Sequence, residues 1–338
     1  PNPWPSVFSS RIMFQYATKA FETHVGWLRN TETDIAQAAH VGSLAANVAG
    51  TPTGAPDAGA DADTFLIYNQ IKVIPGMVIE PYYILYHNGN NEIDNRAQGM
   101  GTVKHANQIR HHLANRIEIR KGGLDFINET AWQFGKMSDG LTTTGNQRNV
   151  NINAWAMRSW LGYTWYESKW KPRLAVNLDY ASGDGNANCA SAAGALNAGY
   201  TCANAGHTFE NFWPTNHIHM GYADVIAWRN MLAPQANLQF RPTERDHFEV
   251  WYMNMNVASA RDNFYRGAQG VYVWSKANNT KTHIGDEIDF TWTRMFADGN
   301  VAFQATYSHI FTGGYMTSNL PGSPSDQSWG FVQLWMNF

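Results

Sequence analysis

The chain has 338 residues, of which 44% are hydrophobic and 15% charged, and its 14 Trp, 15 Tyr and 17 Phe bring aromatics to 14%. Soluble domains carry about 25% charged residues, so this is not an ordinary soluble composition. No run of 18 apolar residues occurs, which excludes membrane-spanning helices, and the net charge of −3 implies no basic face for nucleic acid. Two options survive: a soluble all-β protein, or a transmembrane β-barrel, whose strands are apolar on one face only.

Period-2 alternation dominates, in blocks of about ten residues. Ser10–Ala17 sets Ile12, Phe14 and Tyr16 against Arg11, Met13 and Gln15. After Lys19-Ala20, the residues Phe21, Thr23, Val25 and Trp27 continue the apolar face. A long connection over 31–63 leads to a third strand marked by Phe65, Ile67 and Val73, and Pro75-Gly76 turns it into Met77–His87. A loop over 88–107 follows, then Leu113, Ile117 and Ile119 alternate with Ala114, Arg116, Glu118 and Arg120. Lys121-Gly122-Gly123 turns into Leu124–Lys136.

Trp155, Met157, Leu161, Tyr163 and Trp165 then share a face opposite Arg158. Past the turn Ser168–Pro172, Leu174, Val176, Leu178 and Tyr180 alternate with Arg173, Asn177 and Asp179. The longest loop covers 182–230. Leu238 and Phe240 alternate with Gln239 and Arg241, and Pro242–Asp246 turns into Phe248–Val257. After a loop over 258–281, Ile288, Phe290 and Trp292 alternate with Glu287, Asp289, Thr291 and Thr293. Ala297-Asp298-Gly299 turns into Val301, Phe303, Ala305 and Tyr307, and Ser328–Phe338 closes the chain.

These are about thirteen antiparallel strands in which short turns alternate with long loops, the layout of an outer-membrane barrel. Bacterial single-chain barrels have even strand counts, so either a further strand is present, with Tyr222–Met231 the leading candidate, or the first strands lie outside this chain. Pro1 follows neither Met nor a signal peptide, so the chain is read as mature or incomplete at its start. The last strand places Val332, Leu334, Met336 and Phe338 on one face, and a terminal aromatic there resembles the signal that outer-membrane insertion machinery reads. Trp165, Tyr166 and Trp170 at one short turn, and Trp292 and Phe296 near another, suit interfacial girdles.

Cys189 and Cys202 flank a loop of small residues. Paired, they would close a surface loop in an oxidising compartment, worth about 3 kcal/mol; two unpaired thiols are the alternative.

The segment from Trp155 to Phe311 resembles the alginate-exporter family of outer-membrane porins. The resemblance is carried in order by LDYASGDGN (178–186), HTFENFWPTNHIHMGYADVIAWRN (207–230), RPT (241–243), IGDEIDF (284–290) and YSHIFTGGYM (307–316). It covers roughly half of the chain, and the first 150 residues match in strand rhythm alone. It implies a monomeric barrel of about 18 strands and a passive conduit across the outer membrane, so about five N-terminal strands would lie outside this chain.

The exporter draws its polyuronate through an arginine-rich lumen. Here the inward positions are mixed: Arg11, Arg116, Arg120, Arg158, Arg173 and Arg241 against Glu22, Glu118, Glu129, Asp179, Glu287 and Asp289. Rings of one sign select ions of the other, so this near balance favours a general or differently selective pore.

Other chemistry is sparse. Asp184 with Asn186 suits a tight loop, and a Ca²⁺ ion among them and backbone carbonyls is the alternative. His217 and His219 are read as hydrogen-bonding within a loop folded into the barrel, with metal ligation as the alternative. His111 and His112 point to opposite faces and cannot form one site. Asp224, Arg229 and Asn230 are read as a buried polar network anchoring the long loop, since an arginine in a barrel must be paired or wet.

The sequence is therefore read as one antiparallel up-and-down transmembrane β-barrel over 1–338, with about 14–18 strands when complete, in a Gram-negative outer membrane. Arg116, Arg158, Arg173, Asp179, Arg241, Glu287 and Asp289 are the pore-lining candidates. No catalytic residue, resident metal or cofactor is expected. Small hydrophilic or anionic solutes, outer-membrane lipid and lipopolysaccharide are the expected partners. The alternatives are a sheath for a partner protein such as an electron-transfer cytochrome, and an outer-membrane enzyme.

Overall fold

Alternation gives each strand two chemically different faces, and a sheet curls so that one of them is enclosed. The computed structural model describes residues 10–31, 62–88, 92–94, 103–105, 108–138, 149–185, 205–212, 219–265, 271–273, 275–276, 278–322 and 324–336. Thirteen long strands pair in sequence order. They are β1 (Ser10–Ala17), β2 (Phe21–Thr31), β3 (Ala62–Ile71), β4 (Met77–Asn88), β5 (Gln108–Lys121), β6 (Leu124–Ser138), β7 (Asn149–Thr164), β8 (Arg173–Ala181), β9 (Met231–Phe240), β10 (Asp246–Asn256), β11 (His283–Phe296), β12 (Val301–Thr312) and β13 (Gln327–Met336).

Every neighbouring pair is antiparallel. The strands β1 and β13 are the two ends of this path. A two-residue strand, Ala205–Gly206, pairs in parallel with Asn151 and Ile152 of β7. Two short strand pairs and a one-turn helix, α1 (Gly314–Asn319), decorate the long-loop end.

The connections alternate as the sequence requires. Short ones cover 18–20, 72–76, 122–123, 165–172, 241–245 and 297–300, all at one end. The long ones cover 32–61, 89–107, 139–148, 182–230, 257–282 and 313–326. Short turns mark the periplasmic end of such a barrel and long loops the outer end.

The burial pattern separates a barrel from a sandwich. On β8, Leu174 and Val176 are 50% and 54% exposed, whereas Asn177 and Asp179 beyond them are 5% and 0% exposed. A soluble fold would bury the aliphatic face and wet the polar one. Here the apolar face looks outward to lipid and the polar face is enclosed.

The aromatic edges agree. Trp165, Tyr166, Trp170 and Phe296 lie exposed at the short-turn end. Towards the other end, Trp155 packs on Tyr180 at 4.3 Å and Trp132 on Phe134 at 4.5 Å.

Two sequence expectations need correction. The third strand ends at Ile71, and Val73 sits 65% exposed in the following turn. Tyr222–Met231 is not a strand: 221–230 is irregular, and only at Met231 does β9 begin. Asp224 and Asn230 take φ of 54° and 47°, a left-handed conformation that interrupts any extended run.

Candidate functional site

Register carries the sequence pattern into the lumen. Glu80 stands opposite Arg116, and Arg116 opposite Glu129. Arg116 bonds both Glu80 and Glu118, and Glu129 accepts the Tyr82 hydroxyl at 2.5 Å. On the next wall section Arg173 grips Asp125 through two bonds, Nε to Oδ2 at 2.9 Å and Nη2 to Oδ1 at 2.6 Å. This fork matches a carboxylate better than any single ammonium could. The Trp160 indole donates to the same carboxylate at 3.0 Å.

Asp179, fully buried, accepts Asn177 at 2.6 Å and Gln235 at 2.7 Å. Arg158, its opposite on β7, stays 3.9 Å away. On β10, Glu249 accepts Asn237 and Gln239, both at 2.8 Å. On β11, Asp289 accepts the Ser308 hydroxyl. The wall is thus polar and of mixed sign, with most carboxylates held by neutral donors or by arginine.

The segment after β8 does not stay outside. Residues 205–212 and 219–230 run inward across the barrel. Near β5 and β6, the Gln133 amide donates to the Glu210 carbonyl at 2.8 Å and its oxygen accepts the Glu210 N–H at 3.0 Å. The Phe212 ring lies 5.0 Å from Tyr86 on β4. Towards the far wall, the Tyr222 N–H donates to Asp289 and the Ala223 N–H to Glu287, both at 3.1 Å. Tyr222 also lies 6.1 Å from Phe331 of β13. The two stretches are therefore fastened to different parts of the wall, 205–212 at β4–β6 and 219–230 at β11. Apolar Phe209, Met220 and Ile226 bury against Met231, Met253 and Met255, whose side chains face inward at the outer half of the wall.

Above this, the 182–230 and 257–282 connections lock together. Asp262 is fully buried and accepts Asp184 N–H, the Thr208 hydroxyl and the Tyr265 hydroxyl at 2.8, 2.6 and 2.9 Å. Burial pushes the Asp262 carboxyl up to about 6, against the pull of those donors. Asp184 is buried and accepts the His207 N–H at 3.1 Å, which is a loop-forming role. Asn230 donates to Ser259 and Asn263 carbonyls at 3.1 and 2.9 Å and accepts the Ser259 N–H at 2.7 Å. Arg229 pairs with Glu210 at 3.2 Å and lies 4.3 Å from the Tyr265 ring centre.

The expected residues fall out as follows. Arg116, Arg158, Arg173, Asp179, Glu287 and Asp289 all lie on the enclosed face, and Arg241 sits at the periplasmic mouth just beyond β9. Arg229 and Asn230 join the loop network, and Asp224 lies exposed at a left-handed turn. His219 lies 5.8 Å from Trp228. Burial and the nearby Arg158 charge push its imidazole down to about 4, so it is neutral at pH 7. Cys189, Cys202 and His217 fall outside the described residues. Among the described residues, no three His, Cys, Asp or Glu side chains gather as a metal site.

Sequence reading missed Glu80, Asp125, Trp160, Glu249, Trp251 and Asp262. The first five were available from phase: Trp160 lies two residues beyond Arg158, and Trp251 two beyond Glu249. Asp262 had no local signal, because the partners that tie it to the other connection, Asp184 and Thr208, lie 78 and 54 residues away in sequence.

The family model described as "Alginate export" matches residues 44–331. No curated protein matches. Among solved structures, the NanC porin aligns at TM-score 0.33 and 8% identity, over 82% of this chain and 94% of that one. An enterobactin-bound mutant of the ferric enterobactin receptor PfeA from Pseudomonas aeruginosa aligns at TM-score 0.45 and 10% identity, over 89% and 50%. The copper transporter OprC aligns at TM-score 0.44 and 9% identity, over 88% and 42%.

This chain thus spans nearly all of NanC but half or less of the other two. None of these alignments reaches a TM-score of 0.5, so the assignment rests on the family match, the strand order and the inverted burial. The chain is an outer-membrane β-barrel channel and belongs to the alginate export family.

Proposed function

We propose that the chain carries small hydrophilic solutes, anions included, across the outer membrane by passive diffusion. The carrying observation is the mixed sign of the enclosed face, Arg116, Arg158 and Arg173 standing against Asp125, Asp179, Glu249, Glu287 and Asp289. A polyanion would need a lumen of one sign to draw it through. Charges of both signs, tied to one another or to neutral donors, hold water and bias transport weakly. The stretches 205–212 and 219–230 set the size limit, because they are bonded to the wall at Gln133 and at Glu287. Diffusion of this kind requires no cofactor.

Reversal potentials across a KCl gradient test this reading. A weakly selective pore gives a potential near zero, and a strongly anion-selective potential would overturn the mixed-sign reading of the lumen. A sheath for a partner protein is the second reading. It is disfavoured by the inward segment, which already occupies the space a partner would need.

A further inference from the structure

A cavity of about 300 Å³ lies between the wall and the inward segment, lined by Arg158, Trp160, Tyr222, Glu249, Trp251 and Asp289. That is the small end of ligand pockets, which run from about 300 to 1,000 Å³.

The Arg158 side chain is only 17% exposed, yet its one ion-pair contact among the described residues is Asp179, with Oδ1 at 3.9 Å from Nε. That is beyond hydrogen-bond reach. Trp160 and Trp228 each lie 5.6 Å from the guanidinium carbon, which holds the group in place while leaving N–H donors for the cavity. A largely enclosed arginine without a hydrogen bond is costly unless solvent or a ligand takes its donors.

The other wall has the opposite sign. Glu249 Oε1 takes both Asn237 and Gln239, which leaves Oε2 without a hydrogen-bond partner among the described residues. Asp289, 2% exposed, adds a second carboxylate held by Ser308 and Tyr222. Between the two signs stand the rings of Trp160 and Trp251, with centroids 5.2 Å apart and planes tilted by 59°.

One enclosure therefore holds an unsatisfied cation and an unsatisfied anion that do not pair with each other. A simple anion would meet Arg158 but be repelled by Glu249 and Asp289, and a simple cation would meet the reverse. A polyanion would set further carboxylates beside Glu249 and Asp289. A molecule with both charges satisfies both walls at once. We propose that this cavity binds a small zwitterion, with its carboxylate on Arg158 and its ammonium on Glu249 and Asp289 over the Trp251 face. Tryptophan faces attract ammonium groups, quaternary ones included. The site rests on the channel reading and deepens it, since a saturable zwitterion site in the lumen would make passage of such solutes selective.

The test uses the folded chain in detergent and in planar bilayers. The probes are glycine betaine and 4-(trimethylammonio)butyrate, zwitterions of two lengths, beside propionate and tetramethylammonium. Tryptophan fluorescence reports binding and ion-current block reports occupancy of the lumen. At least one zwitterion is expected to saturate, at least tenfold more tightly than either single-charge probe. Arg158→Gln should weaken it at least tenfold and erase its advantage over tetramethylammonium. Glu249→Gln should weaken it as much and erase its advantage over propionate. Heat-modifiable gel migration confirms that each variant is folded, and Arg158→Lys and Glu249→Asp replace a variant that is not.

Equal binding of propionate or of tetramethylammonium would overturn the proposal, as would saturation by neither zwitterion. Ordered binding without ion current would sink the channel reading and leave the site standing. Ion current without saturable binding would sink the site alone.

Discussion

Asp262 accepts the backbone N–H of Asp184 at 2.8 Å, tying the connection after β10 to the one after β8. The same carboxylate holds Thr208 and Tyr265, so a single buried group organises the outer cap. Its pKa, raised by burial from 3.8 to about 6, has a definite sign in linkage. The folded cap holds the proton more tightly than an unfolded chain does. The stabilisation is therefore complete below about pH 4 and is lost as pH rises through 6, by up to about 3 kcal/mol. Protease cleavage in the 182–230 and 257–282 connections should accelerate from pH 5 to pH 7, after correction for the protease's own profile. Asp262→Asn should flatten that dependence. An equal pH dependence in the variant would show that another group carries it.

A second prediction concerns Gly162. A Cβ built there would lie 2.5 Å from Arg173 Nη2 and 2.7 Å from Asp125 Oδ2. The Arg173–Asp125 fork occupies the space that a side chain would need. Gly162→Ala should push the fork apart and cost about 1–3 kcal/mol, the scale of a lost charged hydrogen bond. Urea unfolding from lipid measures it, and an unchanged midpoint would contradict the packing.

The inward segment is fastened at Glu287. Gly221, at φ 83°, lets the turn lie so close that a Cβ would meet the Glu287 carboxylate at 2.4 Å. Tyr222 and Ala223 then reach Asp289 and Glu287. Removing Glu287 leaves the Ala223 N–H without its acceptor, a loss of about 1–3 kcal/mol, so Glu287→Ala should raise the open population of the segment about tenfold. Larger conductance and faster cleavage within 205–230 are expected. Unaltered conductance with unaltered cleavage would show that the latch lies elsewhere.

Val176 tests the membrane face directly. It lies mid-strand on β8 and is 54% exposed. An arginine at the bilayer midplane of a barrel costs about 2–4 kcal/mol. Val176→Arg should lower folding stability in lipid by that amount. A neutral effect would place this face in water.

The wall was legible in the sequence because period-2 phase survives folding. Arg173, Asn177 and Asp179 point inward simply because Leu174, Val176 and Leu178 must point to lipid. The same phase places Trp160 and Trp251 in the lumen, although aromatics were expected chiefly at the membrane edges. The inward segment was not legible. Tyr222, Ala223 and Asp224 mimic a strand in composition, yet the carboxylates of Glu287 and Asp289 claim their N–H groups, and Gly221, Asp224 and Asn230 turn left-handed. Those partners lie more than 60 residues away, so no local rule could find them.

Single-channel recording in planar bilayers tests the central claim most directly. Folded chain should produce discrete, long-lived conductance steps that grow when Glu287 is replaced by Ala. Heat-modifiable, fully folded protein that inserts into the bilayer yet passes no current, with and without Glu287→Ala, would contradict the account.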